Sequence, residues 1–327
     1  MNKHLLAWAL VAKSLKQQIP VMLLYVLESK GSSPGRQGFF MAVNAKNQME
    51  GSIGGGMMEH KFVEMAKERL KSDRVDKEQE VSVRKQIHDK SVAKDQSGMI
   101  CSGEQTIFMY HVPQQNEESV QKIIVTLQEK RNATLRLSPE GIELLATNSE
   151  RDFNFSMKSD QNWFYEEKIG YKNQLFIIGG GHCALAFSKL MGDMDFYIRV
   201  YDERENLKTM LENGAAHERH FINNYSELNN LIPSGSNHYV VIMTFGYRSD
   251  DIALRALLPK EFKYLGLLGS KSKIDKMLED YRNEGIAENF LQRIHTPVGI
   301  AIKSQTPEEI AVSIAAEIIQ TKNKHLP

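Results

Sequence analysis

The chain has 327 residues, enough for two domains or one large one. Charged residues make up 25% and hydrophobic residues 41%, and 41 basic side chains balance 41 acidic ones, so no net charge steers the chain to nucleic acid or an anionic membrane. Two cysteines, Cys101 and Cys183, exclude a disulfide framework and make a reducing cytoplasm the expected compartment, while no apolar run approaches the roughly 18 residues of a membrane span.

Leu5, Trp8, Ala12, Leu15 and Ile19 recur at helical spacing and predict a helix over 4–18. Lys3 ahead of an apolar stretch gives a faint signal-peptide look, but Lys13 and Lys16 follow at once and no small-x-small cleavage site appears. Strands are predicted over 20–28 and 38–43, separated by the polar turn Gly31-Ser32-Ser33-Pro34-Gly35-Arg36. Gly51-Ser52-Ile53-Gly54-Gly55-Gly56 comes next, then a helix with Met58, Phe62, Met65, Ala66 and Leu70 on one face. Residues 71–98 are polar, with a strand over 80–87. A strand over 105–112, a helix over 117–130 and strands over 133–145 and 152–157 complete a smaller α+β domain. The polar run 166–173, broken by Gly170, is the expected boundary, giving domains over 1–168 and 173–327.

Beyond it the pattern alternates. Strands are predicted over 174–178, 196–201, 218–222, 239–244 and 262–268, and helices over 182–191, 204–213, 225–231, 249–258, 271–282 and 307–321. Alternation of this kind implies an α/β fold, a doubly wound parallel sheet with helices on both faces. Thr306-Pro307-Glu308-Glu309 is a strong helix start: an N-cap threonine, proline in the first position, acids in the first turn.

Gly179-Gly180-Gly181-His182-Cys183-Ala184 sits between the first of these strands and its helix, which is the G-x-G-x-x-G/A fingerprint of a dinucleotide-binding unit. Asp202 ends the next strand 21 positions after Gly181, near the spacing expected for the acid that meets a ribose hydroxyl. The fingerprint points to NAD(P) or another nucleotide, or to glycines that only let helix and strand pack closely. Gly54, Gly55 and Gly56 before a helix form a second expected anion cradle, because backbone N–H groups and the helix dipole both favour negative charge there. Arg36, in a loop of small residues, suits bidentate grip of a phosphate or carboxylate. Cys101 lies among Gly98, Ser102 and Gly103, which leave its thiol accessible as a soft ligand or nucleophile. Lys271 and Lys273 start a helix, where the macrodipole disfavours cations; a bound anion or plain solvation would offset that. His295, in His295-Thr296-Pro297-Val298-Gly299, is an acid–base group or a structural histidine. No Walker A loop, H-E-x-x-H, paired C-x-x-C or G-x-S-x-G elbow occurs.

Taken in order, Gly31-Ser32-Ser33-Pro34, Gly51 to Glu59 and Met99-Ile100-Cys101-Ser102-Gly103 resemble the N-terminal domain of the XdhC/CoxI family of xanthine dehydrogenase accessory proteins. Ile177 to His182, Asp202-Glu203-Arg204, Tyr264 to Lys271, Ile294 to Gly299 and Thr306 to Ala311 resemble that family's Rossmann domain. The resemblance spans nearly the whole chain. It implies a carrier, not a catalyst: a protein that binds the molybdenum cofactor (molybdopterin), protects it while a cysteine desulfurase supplies its terminal sulfur, and passes it to an apo xanthine dehydrogenase-type enzyme. The residues then expected at the guest are Arg36, Gly54, Gly55, Gly56, Cys101, Gly179, Gly181, His182, Asp202, Ser270 and Lys271, with Cys101 as the contact to molybdenum and no catalytic residue. A homodimer is expected on the ground that cofactor transfer favours a broad docking surface. Two departures from the family pattern stand out: Cys101-Ser102-Gly103 replaces Cys-Gly-Gly, and Phe245-Gly246-Tyr247-Arg248 replaces a His-Asp-like pair. The alternatives are an NAD(P)-dependent oxidoreductase and a nucleotide-sensing scaffold.

Overall fold

Val21–Gly31 (β1) begins with an apolar run, Val21 to Leu27, because both faces are covered over that stretch. Successive strand side chains point to opposite sides of a sheet. Val21, Leu23, Tyr25 and Leu27 therefore join one core with Trp8 and Val11 of helix Lys3–Lys16, while Met22, Leu24 and Val26 join another with Met58, Phe62 and Ala66 of helix Gly56–Lys71. The computed structural model describes residues 3–71, 81–87, 103–145 and 151–324. The chain divides into two units between Gly170 and Tyr171.

The first unit carries two antiparallel sheets. In the five-stranded one, β1 lies between Phe40–Asn44 (β2) and Gly103–His111 (β5), with Met49–Gly51 (β3) and Val81–Ile87 (β4) at the edges. The four-stranded sheet is built from Ala133–Ser138 (β6), Gly141–Leu145 (β7), Phe153–Ser159 (β8) and Asn162–Ile169 (β9) in the order β7-β6-β9-β8. β9 includes 166–169, which the sequence presents as linker. Trp163, Tyr165, Glu167 and Ile169 alternate inward along it, and a buried glutamate at one of those positions breaks the apolar pattern. The Glu167 carboxylate accepts hydrogen bonds from the Tyr25 and Tyr165 hydroxyls, the latter at 2.9 Å, which meets the requirement that a buried polar group be paired. Burial, reinforced by that carboxylate, raises both tyrosine pKa values well above the ordinary one.

The second unit is a six-stranded sheet, parallel throughout, of Asn173–Ile178 (β10), Phe196–Asp202 (β11), Glu218–Phe221 (β12), Gly235–Ile242 (β13), Phe262–Leu267 (β14) and Ile294–His295 (β15). The spatial order β12-β11-β10-β13-β14-β15 is, counted from β10, the 3-2-1-4-5-6 order of dinucleotide-binding folds. Leu175, Ile177, Tyr239 and Val241 pack on one face with Phe187 and Met191 of helix His182–Gly192 and with Ile314 and Ile318 of helix Pro307–Asn323. Phe176, Ile178, Val240 and Ile242 pack on the other with Leu254 of helix Tyr247–Leu257 and Met277 of helix Lys271–Asn283. The helix expected over 204–213 shrinks to Lys208–Leu211, while the one expected over 225–231 forms as a 3-10 turn, Tyr225–Glu227, running into the short α-helix Leu228–Leu231. Ahead of Lys208, Arg204 turns its backbone N–H and its side chain back onto Asp202, a local bond that competes with helix. Among the described residues no helix is long and apolar enough to cross a membrane.

Candidate functional site

The three glycines after β10 have three different physical roles. Gly179 has φ +105°, and a Cβ there would lie 2.5 Å from the Met243 carbonyl oxygen, so the position admits only glycine. A Cβ on Gly180 would lie 3.0 Å from Met210 Sδ, a close helix approach. Gly181 is the N-cap of helix His182–Gly192, with φ −69°, no side chain bonded to the cap, and nothing within 4 Å of an added Cβ. Space is therefore open beside the first-turn N–H groups, where the helix dipole favours an anion. His182 is exposed at that start.

Asp202 is wholly buried at the end of β11. One oxygen accepts the Gly180 N–H at 2.7 Å and Arg204 Nη2 at 2.7 Å; the other accepts Arg204 Nε at 2.8 Å and the Arg204 backbone N–H at 2.9 Å. Burial by itself would raise the carboxyl pKa, but the Arg204 guanidinium and the two backbone N–H groups outweigh it and lower the value. The sequence marks Asp202 for a ribose hydroxyl; the fold engages its acceptor positions within the chain.

Beyond β13, Asp250 is also fully buried. It accepts the Thr244 hydroxyl at 2.5 Å and the Thr244 N–H at 3.1 Å, and it forms an ion pair with Lys273. Lys273, half-buried, thus already has an anionic partner within the chain. Lys271 remains exposed without an ion-pair partner among the described residues, and the Ser270 hydroxyl caps its helix by accepting the Lys273 N–H. At β15, His295 Nδ1 lies 2.9 Å from Glu317, which also accepts the Tyr264 hydroxyl at 2.7 Å and the Gly299 N–H at 2.6 Å. Burial opposes ionisation of Glu317, yet those donors lower its pKa.

In the first unit three sequence-distant pieces converge. A Cβ on Gly35 would sit 1.9 Å from the Ile53 carbonyl oxygen, and one on Gly54 would sit 2.3 Å from the Gly35 nitrogen, so the 31–36 and 51–56 loops touch backbone to backbone. Gln105 Nε2 donates to the Gly35 carbonyl at 2.8 Å, and Gly103 pairs with Gly31. Arg36 is exposed, with Nη1 3.3 Å from the Gly31 carbonyl. The cradle before helix Gly56–Lys71 is filled from within: one Glu59 oxygen accepts the Ser52 hydroxyl at 2.6 Å, the Ile53 N–H at 2.9 Å and the Gly55 N–H at 3.0 Å. Cys101 lies outside the described residues, two positions before Gly103. Glu59→Ala should therefore strip three donors of their acceptor and cost the first unit about 1–3 kcal/mol, read by urea unfolding; an unchanged midpoint would show that water replaces the carboxylate without loss.

The residue pattern alone assigns no role to Glu59, Arg204, Gln105 or Glu317. The first two stand inside or beside the motifs, and their signal is a charge a few residues from backbone donors. Among the described residues no cluster of three or more metal-ligating side chains occurs.

Two family models match the chain: the XdhC and CoxI family over residues 14–79 and the XdhC Rossmann domain over residues 175–318. Together they cover well over half of it, and the chain belongs to the XdhC/CoxI family. It is 26% identical over 315 residues to the uncharacterized protein YqeB of Escherichia coli K12, covering 95% of this chain and 45% of the relative. It is 28% identical over 159 residues to a Bacillus subtilis protein described as a probable xanthine dehydrogenase component, covering 48% of this chain and 46% of the relative. The chain thus spans less than half the length of these curated relatives. A solved structure described as a xanthine dehydrogenase from Bacillus halodurans has the same fold, with TM-score 0.70, 21% identity and coverage of 98% of this chain and 96% of that one.

Proposed function

We propose that the protein is an accessory factor for a xanthine dehydrogenase-type molybdenum enzyme, and that it holds the molybdenum cofactor as a guest for delivery. The observation that carries this reading is the presence, in one chain, of both family units, each with a glycine loop in which one member, Gly54 or Gly179, lies against neighbouring backbone where a side chain cannot fit. The guest is an anionic, phosphate-bearing pterin. The open space at Gly181 suits its phosphate: N–H groups of the helix start would receive it with no side chain in the way. His182 and Lys271 are exposed and available for polar contact.

In the first unit Glu59 already accepts the Ile53 and Gly55 N–H groups and Ser52 the Gly54 N–H, so in this reading Gly54 serves by packing against Gly35 in the loop that bears Arg36, while Gly55 and Gly56 leave open space before the helix. Cys101 supplies a soft thiol to the metal in this reading, and a cysteine desulfurase supplies the guest's sulfur. The reading implies a cytoplasmic protein, as a homodimer, with no turnover of its own.

A hydride-transfer reading is less well supported. Asp202 has no acceptor to offer a ribose without giving up a bond to Gly180 or Arg204.

Activation of an apo xanthine dehydrogenase-type enzyme tests the proposal. Purified protein carrying its guest should activate the apo enzyme, and Cys101→Ala should lower that activation while leaving the fold's circular dichroism unchanged. Equal activation by the variant would remove Cys101 from the site. Steady oxidation of NAD(P)H with a small substrate would favour the oxidoreductase instead.

A further inference from the structure

Arg204 follows β11 and Phe245 follows β13, the two strands that flank β10. Their side chains meet: the guanidinium carbon lies 5.0 Å from the Phe245 ring centroid. Both residues stand past the carboxyl ends of their strands, as does the Gly179–Gly181 turn after β10, and ligands of open α/β sheets bind at this edge where the strand order reverses. Two features separate this pair from an ordinary surface contact. Arg204 is locked: Nε and Nη2 both donate to the buried Asp202, so the guanidinium is a fixed plane whose charge is locally balanced, with Nη1 lacking a partner among the described residues. Phe245 is 69% exposed despite that contact, so the arginine covers only a small part of the ring.

A fixed, charge-balanced plane is a poor grip for a free phosphate. It is a good wall for a flat ring, because guanidinium and phenyl faces both stack on heteroaromatic systems, and the spare Nη1 donors suit ring nitrogens or carbonyls at the rim. A sugar or an aliphatic acid has no face to match. We propose that Arg204 and Phe245 form a stacking platform for the planar heteroaromatic ring, purine or pterin, of a ligand whose phosphate lies at the Gly179–Gly181 turn. This rests on the reading of that turn as an anion site and adds what selects the organic part of the ligand. Asp202 then acts as a positioning residue, holding the arginine plane and not touching the ligand.

Isothermal titration of the full chain with three probes tests it: adenosine 5′-monophosphate, pterin-6-carboxylate and ribose 5-phosphate. At least one ring-bearing probe is expected to bind about tenfold or more tightly than ribose 5-phosphate, since stacking on an aromatic side chain typically contributes that much. Phe245→Ala should bring that probe down to the ribose phosphate level, and Phe245→Trp should keep it. Arg204→Lys, which retains the charge and loses the plane, should weaken the ring probe and leave ribose 5-phosphate unchanged. Preference for the adenine or for the pterin probe identifies the source, and either supports the platform. Equal binding of ribose 5-phosphate and the ring probes, or full affinity in Phe245→Ala, overturns the platform and leaves the anion turn standing. Failure of all three probes to bind overturns both.

Discussion

Lys273→Met is expected to cost the second unit about 3–5 kcal/mol, the range for breaking a buried pair on one side only. Asp250 is fully buried, and after the substitution Thr244 alone would face its charge. The pH dependence has a definite sign. Burial raises the Asp250 pKa above the ordinary carboxylate value even though Lys273 and Thr244 act to lower it, so the folded state holds the proton more tightly than the unfolded one. Removing Lys273 takes away one of the lowering influences and raises that pKa further. The deficit should therefore be widest at neutral pH and narrow as pH falls through the elevated Asp250 pKa. Asp250→Asn combined with Lys273→Met should recover much of the loss. Urea unfolding at several pH values reads both, and a deficit that does not change with pH would mean that Lys273 contributes packing and not charge.

The two outer glycines of the β10 turn should separate stability from binding. Gly179→Ala forces a side chain into a backbone conformation reserved for glycine and onto the Met243 carbonyl, at an expected cost of about 3 kcal/mol from strain and overpacking together. Gly181→Val has compatible φ and open space around its Cβ, so thermal unfolding should move little, within about 0.5 kcal/mol. Its added methyl groups nevertheless fill the approach to the helix start. Ligand affinity should fall by about tenfold or more in Gly181→Val while the fold stays intact. Retained affinity there would make the fingerprint a packing device only.

These contrasts also show how far the residues speak for themselves. Alternating runs from Gln174 onward are legible as a parallel sheet because the central strands are sandwiched between helices and read as continuous apolar sequence. Ile294–His295 is too short to give any period, yet it adds the sixth strand by pairing with Leu265 and Gly266. β9 is masked in the sequence by Glu167, whose burial depends on Tyr25, a residue 142 positions away. The site follows the same logic. Glycine spacing marks where the backbone must bend, and Gly179 and Gly54 do bend there. It does not tell which anion fills the bend. Glu59 fills one cradle from four positions beyond Gly55, while Gly181 leaves the other open. Likewise Asp202 is recognisable by its distance from the fingerprint, but its capture by Arg204 depends on a turn where the spacing predicts helix.

The central proposal is that this chain carries a molybdenum-bearing pterin and delivers it without itself transforming it. Elemental analysis for molybdenum, together with pterin fluorescence after oxidation, on freshly and anaerobically purified protein tests it most directly. Molybdenum and pterin should appear together in comparable amounts in the unmodified protein and be depleted in Gly181→Val. Protein that is folded and free of both after purification from cells making the cofactor would contradict the account.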